Sequence, residues 1–147
     1  MKNLLVTGQS GFVGRHLQQL LASSSCWNLI PNGQLELCKP ASLDETLQPI
    51  CPDAIIHLAG QTFVPEAFRD PQRTLEVNLI GTLNLLQALK RRGFSGTFLY
   101  VSSGDIYGQV ADDSLPISES LAPQPRNPYA VSKVAAALLC LRWSYVD

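Results

Sequence analysis

Apolar residues along this chain come in two rhythms, short unbroken runs and longer stretches where they recur every three or four positions. The runs predict buried strands and the recurrences predict helices. Leu4 to Val6 is the first run, and Trp27 to Ile30 another, stopped by Pro31-Asn32-Gly33. Gln34 to Leu37 reads as a brief extended piece. Asp53 to Gly60 and Gly96 to Val101 complete the strand candidates. Between them, a helix from about Gly11 to Ala22 aligns Phe12, Val13, His16, Leu17, Leu20 and Leu21 along one side. Ser42 and Glu45 form a capping-box pattern for a short helix ending before Pro49. Gln61 to Pro71 reads as a loop with a helical turn, and Thr74 to Gly93 as a long helix with Gly93 as its stop. Asn127, as cap, and Pro128, in the first turn, open a final helix. The polar, turn-rich stretch from Ser102 to Pro128 is a loop of a length that is usually functional.

Strands alternating with helices predict a doubly wound parallel α/β sheet. Right-handed crossovers bring the carboxyl ends of such strands to one edge, where ligands bind. The glycine turn after Val6, Ala59-Gly60, Ser102-Ser103 and the loop leading to Tyr129 all follow strand ends, so the candidate functional segments are expected along that edge.

Composition narrows the function classes. With 147 residues, 46% hydrophobic and 16% charged, the chain is the size and make-up of one globular domain. A net charge of −1 and no basic cluster denser than Lys90-Arg91-Arg92 argue against a nucleic-acid partner, and that trio sits where it complements a helix dipole. Cys26, Cys38, Cys51 and Cys140 show no CxxC spacing, so neither a disulfide framework nor a metal site is expected. No apolar run approaches the roughly 18 residues of a membrane span, and the N-terminus enters a strand at once, leaving no room for a signal peptide. A soluble, cytoplasmic protein with no membrane partner is the expectation.

Candidate chemistry begins at Gly8, Gly11 and Gly14, between a strand and a helix. Gly8 permits the tight turn, Gly11 lets backbone approach phosphates, and Gly14 lets the helix pack on the strand. The helix N-terminus then offers N–H groups to an anion. Tyr129 and Lys133, four residues apart, lie within about 40° of each other around a helix. A nearby ammonium stabilises a phenolate, which makes the tyrosine a usable general acid or base, and a serine hydroxyl from the preceding strand end is suited to hold a carbonyl oxygen. His57, on an apolar strand, is expected to be a satisfied core histidine more than a catalytic base.

The motifs Thr7-Gly-x-x-Gly-x-x-Gly14, His57-Leu58-Ala59-Gly60, Val77-Asn78-x-x-Gly81-Thr82, Tyr100-Val101-Ser102-Ser103-x-x-Ile106-Tyr107-Gly108 and Tyr129-x-x-x-Lys133 together resemble the extended short-chain dehydrogenase/reductases. Within that family, residues 60–71 and 102–110 are similar to the bacterial GDP-6-deoxy-4-keto-mannose reductases of GDP-D-rhamnose synthesis. The resemblance implies a Rossmann-type NAD(P)-binding fold, of which residues 1–147 are the N-terminal part of a single domain, truncated before a C-terminal substrate domain. It implies that Gly8, Gly11, Phe12, Val13 and Gly14 line the pyrophosphate and ribose, that Glu36 and Leu37 lie against adenine, that Leu58, Ala59 and Gly60 pass over the adenosine half, and that Asn78 braces the cofactor side. Ser103, Tyr129 and Lys133 would be catalytic: Tyr129 protonates the C4 oxygen of a GDP-4-keto-6-deoxy-hexose, and Lys133 also holds the ribose. Thr62, Ser103 and Asp105 would meet substrate. Pro31-Asn32-Gly33 carries no acid for a ribose 2′-OH, which leans the cofactor towards NADP(H) over NAD(H), and Arg15 is the cation nearest the turn. A homodimer is implied for the full-length protein. Dehydratases carry Thr-x-Glu where this chain has Ser103-Gly104-Asp105, so a 4,6-dehydratase, an epimerase and a non-catalytic dinucleotide-binding fragment stand as the alternatives to a reductase.

Overall fold

The computed structural model describes residues 1–32 and 35–143. They fall into two compact units, Met1–Gly60 with Ile80–Val101, and Gln61–Leu79 with Ser102–Asp147. The strands are β1 (Lys2–Thr7), β2 (Trp27–Leu29), β3 (Ala54–His57) and β4 (Thr97–Tyr100), and the helices α1 (Phe12–Leu21), α2 (Pro40–Leu47), α3 (Val64–Arg69), α4 (Pro71–Leu75), α5 (Gly81–Arg91) and α6 (Pro128–Trp143).

The first unit holds a parallel sheet in the order β2-β1-β3-β4. Leu4 pairs with Leu29 on one side and Ala54 on the other, and His57 pairs with Tyr100. Successive side chains of a strand point to opposite faces, and the core follows that alternation. Leu5 and Ile55 join Leu43 and Leu47 of α2 and Leu85 and Leu89 of α5 on one face. Leu4, Val6 and Ala54 meet Leu17 and Leu21 of α1 on the other. Helices on both faces of a parallel sheet make the unit doubly wound, as the alternation of runs and recurrences predicts. In the second unit, α3 and α4 pack against α6, as does a 3₁₀ turn at Gly104–Tyr107.

Several local expectations change. The capping box does not form: α2 begins at Pro40 with Lys39 as its cap, and the Ser42 carbonyl accepts from Thr46 Oγ1 inside the helix at 2.8 Å. Proline lacks an N–H, so the first turn is where a helix tolerates it, and Pro40 starts this one before Ser42 can. Of the extended piece at Gln34 to Leu37, the described residues Leu35 to Leu37 join no strand. Gly33 and Gln34 lie outside the described residues, and Glu36 instead accepts a turn hydrogen bond from Lys39 N at 2.9 Å. The long helical stretch starts earlier than Thr74, at Pro71, with the Asp70 side chain accepting from Arg73 N, and it contains a π-helical turn at Glu76–Ile80. On α1 the apolar side is mostly open to solvent, with Phe12 74% and Leu20 73% exposed. Only Gly14 of that helix is buried, while Leu17 and Leu21 are half-buried on the same stripe.

Candidate functional site

In the first unit the glycine turn joins the end of β1 to α1. Gly8 has φ +73°, a left-handed conformation that glycine adopts without penalty. A Cβ there would stand 2.9 Å from Ala59 N, so the turn runs directly beside the segment leaving β3. At Gly14 a Cβ would run into Gly8 O and Gln9, so the helix lies directly against the turn that leaves β1. Gly11 caps α1 with no side-chain hydrogen bond, and no acid occupies the first turn. A helix N-terminus left this way suits a phosphate, since its amides and the dipole's positive end have no carboxylate competing for them. Phe12 and Val13 are exposed at this end. These residues fit a dinucleotide pyrophosphate.

Leu58 and Ala59 donate their N–H groups to Thr7 Oγ1, both at 3.1 Å. His57 is 1% exposed, its Nδ1 2.6 Å from Thr7 Oγ1 and its Nε2 3.0 Å from Thr82 Oγ1. It is the satisfied core histidine expected, and no base. At the end of β2, Asn32 Nδ2 donates to Val6 O at 2.9 Å, so an amide stands there in place of an acid. Leu37 departs from its expected role. Its side chain is buried in the core with Leu5 and Leu43, which leaves it no surface to lay against a ring. Glu36 pairs with Lys39 at 3.7 Å.

The second unit gathers the reactive side chains. Asn127 Oδ1 accepts from Ala130 N at 2.7 Å and starts α6, whose next turn carries Tyr129 and Lys133 on one side, 9% and 8% exposed. Burial lowers the Lys133 pKa to about 8, and the neighbouring Cys140 raises it in part. The same burial pushes the Cys140 thiol up to about 11. Ser103 Oγ accepts from Asp105 N at 3.2 Å, and Asp105 Oδ2 accepts from Asn127 Nδ2 at 2.7 Å. One bridge therefore ties the serine turn to the helix cap. Asn78 braces a different set: Oδ1 accepts from Gln61 N at 2.8 Å, and Nδ2 donates to Gln61 O and to Ser132 Oγ, each at 2.9 Å. Ser132 in turn donates to Tyr129 O at 2.6 Å. Thr62 is exposed one residue beyond Gln61.

Thr7, Thr82 and Ser132 make side-chain hydrogen bonds around these segments that sequence reasoning did not assign. Thr7 carried a usable signal, since it is a short polar residue beside a turn, where its side chain reaches backbone N–H groups. Among the described residues no group of three His, Cys, Asp or Glu converges as a metal site would, and no helix is long and apolar enough to cross a membrane.

A glycine turn built for phosphate and a Tyr-x-x-x-Lys helix define a class, and the chain belongs to the NAD dependent epimerase/dehydratase family, which it matches over residues 4–145. Its sequence is 64% identical to a GDP-6-deoxy-D-mannose reductase of Pseudomonas aeruginosa, over 99% of this chain and 48% of that enzyme. The structure of RMD from Pseudomonas aeruginosa complexed with NADPH matches with a TM-score of 0.95 at 63% identity, over 100% of this chain and 50% of that one. The UDP-glucose 4-epimerase of Thermus thermophilus in complex with NAD matches with a TM-score of 0.84 at 29% identity, over 97% of this chain and 51% of that one. The chain spans about half the length of the curated relatives it matches.

Proposed function

We propose that the full-length protein carrying this chain reduces the C4 keto group of a GDP-4-keto-6-deoxy-hexose, using NADPH, and that residues 1–147 are the N-terminal part of its dinucleotide-binding domain. The observation that carries this reading is the Tyr129–Lys133 pair buried on α6 of a chain 64% identical to a GDP-6-deoxy-D-mannose reductase. Gly8, Gly11, Phe12, Val13 and Gly14 would hold the pyrophosphate and ribose, with Leu58 to Gly60 beside the adenosine half. The absence of an acid at Pro31-Asn32 leaves a 2′-phosphate unopposed, in keeping with NADPH in the related structure.

When bound, the reduced nicotinamide supplies the hydride. Tyr129 delivers a proton to the sugar oxygen, and Ser103 donates a hydrogen bond to the same atom beforehand, orienting the carbonyl. Lys133, cationic at neutral pH with a pKa near 8, holds positive charge where the phenol must part with its proton. Thr62 contacts the sugar, and Asn78 and Asp105 act as braces. Where dehydratases carry Thr-x-Glu this chain has Ser103-Gly104-Asp105, whose acid is one methylene shorter and is held by Asn127, which favours a reductase over a dehydratase. Cysteines that form no disulfide fit a cytoplasmic location.

Mixing the full-length protein with NADPH and a GDP-4-keto-6-deoxy sugar tests the proposal. The expected result is stoichiometric NADPH oxidation with formation of the 4-hydroxy sugar. Loss of water from GDP-mannose with no NADPH consumed would overturn it in favour of a dehydratase.

A further inference from the structure

We infer that His57 is held as a neutral imidazole with its proton on Nε2, and that the Thr7–His57–Thr82 hydrogen-bond chain is a positioning device for the Leu58–Ala59 backbone beside the glycine turn. The argument is a count of hydrogens. Thr7 Oγ1 stands 3.1 Å from Leu58 N, 3.1 Å from Ala59 N and 2.6 Å from His57 Nδ1. A hydroxyl oxygen accepts two hydrogen bonds and donates one. Backbone N–H groups can only donate, so Leu58 and Ala59 fill both lone pairs. The Thr7 hydrogen must then point to Nδ1, and Nδ1 carries none. The ring proton resides on Nε2, from which it is donated to Thr82 Oγ1 at 3.0 Å. An imidazolium, or the other tautomer, would aim a third donor at the Thr7 oxygen inside a site where His57 is 1% exposed between the rings of Phe98 and Tyr100.

Both nitrogens of His57 are thereby committed, and the chain links the end of β1, the end of β3 and the first turn of α5. It also sets the N–H groups of Leu58 and Ala59, the residues that pass closest to Gly8. If that segment receives the adenosine half of a dinucleotide, Thr7, His57 and Thr82 set its path without touching the ligand. This functional half rests on the proposed dinucleotide reading, whereas the assignment of the proton does not.

The chain has only two histidines, and His16 is exposed, so nitrogen NMR of the two imidazoles in the 147-residue chain at neutral pH separates them. The expected spectrum gives His57 a bare Nδ1 and a protonated Nε2. A proton on Nδ1, as the other tautomer or as imidazolium, would overturn the assignment. NADPH titration of the full-length protein reads the positioning role. Thr7→Val, which leaves two backbone donors unmet, should weaken binding about tenfold, and Thr7→Ser should stay within about twofold of the parent. Equal binding by Thr7→Val defeats the positioning role while the spectrum stands. If the unsubstituted full-length protein binds no NADPH, the dinucleotide reading and the positioning role fall together, and the spectrum still decides where the proton is.

Discussion

Around Gly8 the first unit works with backbone, whereas around Tyr129 the second works with side chains. The glycine turn presents amides, a helix terminus and missing Cβ atoms, and the side chains it enlists, Thr7 and His57, act by steering peptide groups. The α6 site instead buries a phenol and an ammonium and surrounds them with amide and hydroxyl braces from distant positions. The difference matches the two tasks proposed for them. A pyrophosphate is recognised by many weak, oriented N–H dipoles, which the backbone supplies with little side-chain entropy to lose. Proton transfer needs one group at one place with one protonation state, which only a restrained side chain supplies.

The comparison breaks most sharply at Tyr129. In the full-length protein, Tyr129→Phe should lower kcat by about 10³-fold while the NADPH dissociation constant stays within about twofold. A parallel loss of binding would move Tyr129 from the chemistry to the cofactor. The backbone site should fail differently. In Gly14→Ala the new Cβ would run into Gly8 O and stand 2.7 Å from Gln9 Cα, and neither can swing aside as a side chain would. Destabilisation by about 2–3 kcal/mol is expected in urea unfolding of the chain, with NADPH binding lost in step. Gly104→Ala, next to Ser103, is the matched control. Its Cβ meets nothing within 4 Å, so its stability should change by no more than about 0.5 kcal/mol.

The backbone half was the more legible of the two. An apolar run, three glycines at fixed spacing and a resumed helical pattern are local signals, and they located β1, the turn and α1 without knowledge of anything distant. The Asn127-Pro128 start of α6 was legible for the same reason, since a cap and a first-turn proline act within a few residues. What escaped was set by contacts far apart in the chain. Asn78 reaches Ser132 across 54 positions and Asp105 reaches Asn127 across 22, and no local pattern encodes either pairing. Leu37 was placed against adenine by the family resemblance, whereas its side chain is buried in the core with Leu5 and Leu43. On α1 the periodicity identified an apolar side correctly and said nothing of what covers it.

A smaller effect tests whether the side-chain half depends on its cap. Asn127 serves two partners, the Ala130 amide and the Asp105 carboxylate. Asn127→Ala should cost about 1 kcal/mol through the lost cap alone. Asn127→Asp keeps a capping oxygen but sets a second carboxylate against Asp105, so it should preserve stability less well at neutral pH than at acidic pH. If the two variants behave alike at every pH, the Asp105 bridge contributes nothing.

The effect most specific to buried side chains is the pH dependence of stability around Lys133. Its folded pKa of about 8 lies below the ordinary lysine value of 10.5, so between those values the unfolded chain holds a proton that the folded one has released. Stability therefore rises with pH across that window, and the burial penalty is fully present below about 8. Cys140 acts in the opposite sense. Its folded pKa of about 11 exceeds the ordinary thiol value of 9.0, so the folded chain holds the proton between them and stability falls as pH rises. The two trends together give a rise from about pH 8 to 9, near cancellation up to about 10.5, and then a decline. Lys133→Met should erase the rise and raise stability below pH 8, leaving only the decline, while Cys140→Ala should let the rise continue to about 10.5. Chemical denaturation of the chain across this range reads all three curves. A flat profile in the parent with no response to either variant would mean that the ammonium is solvated, and the contrast between a backbone site and a buried side-chain site would lose its strongest electrostatic support.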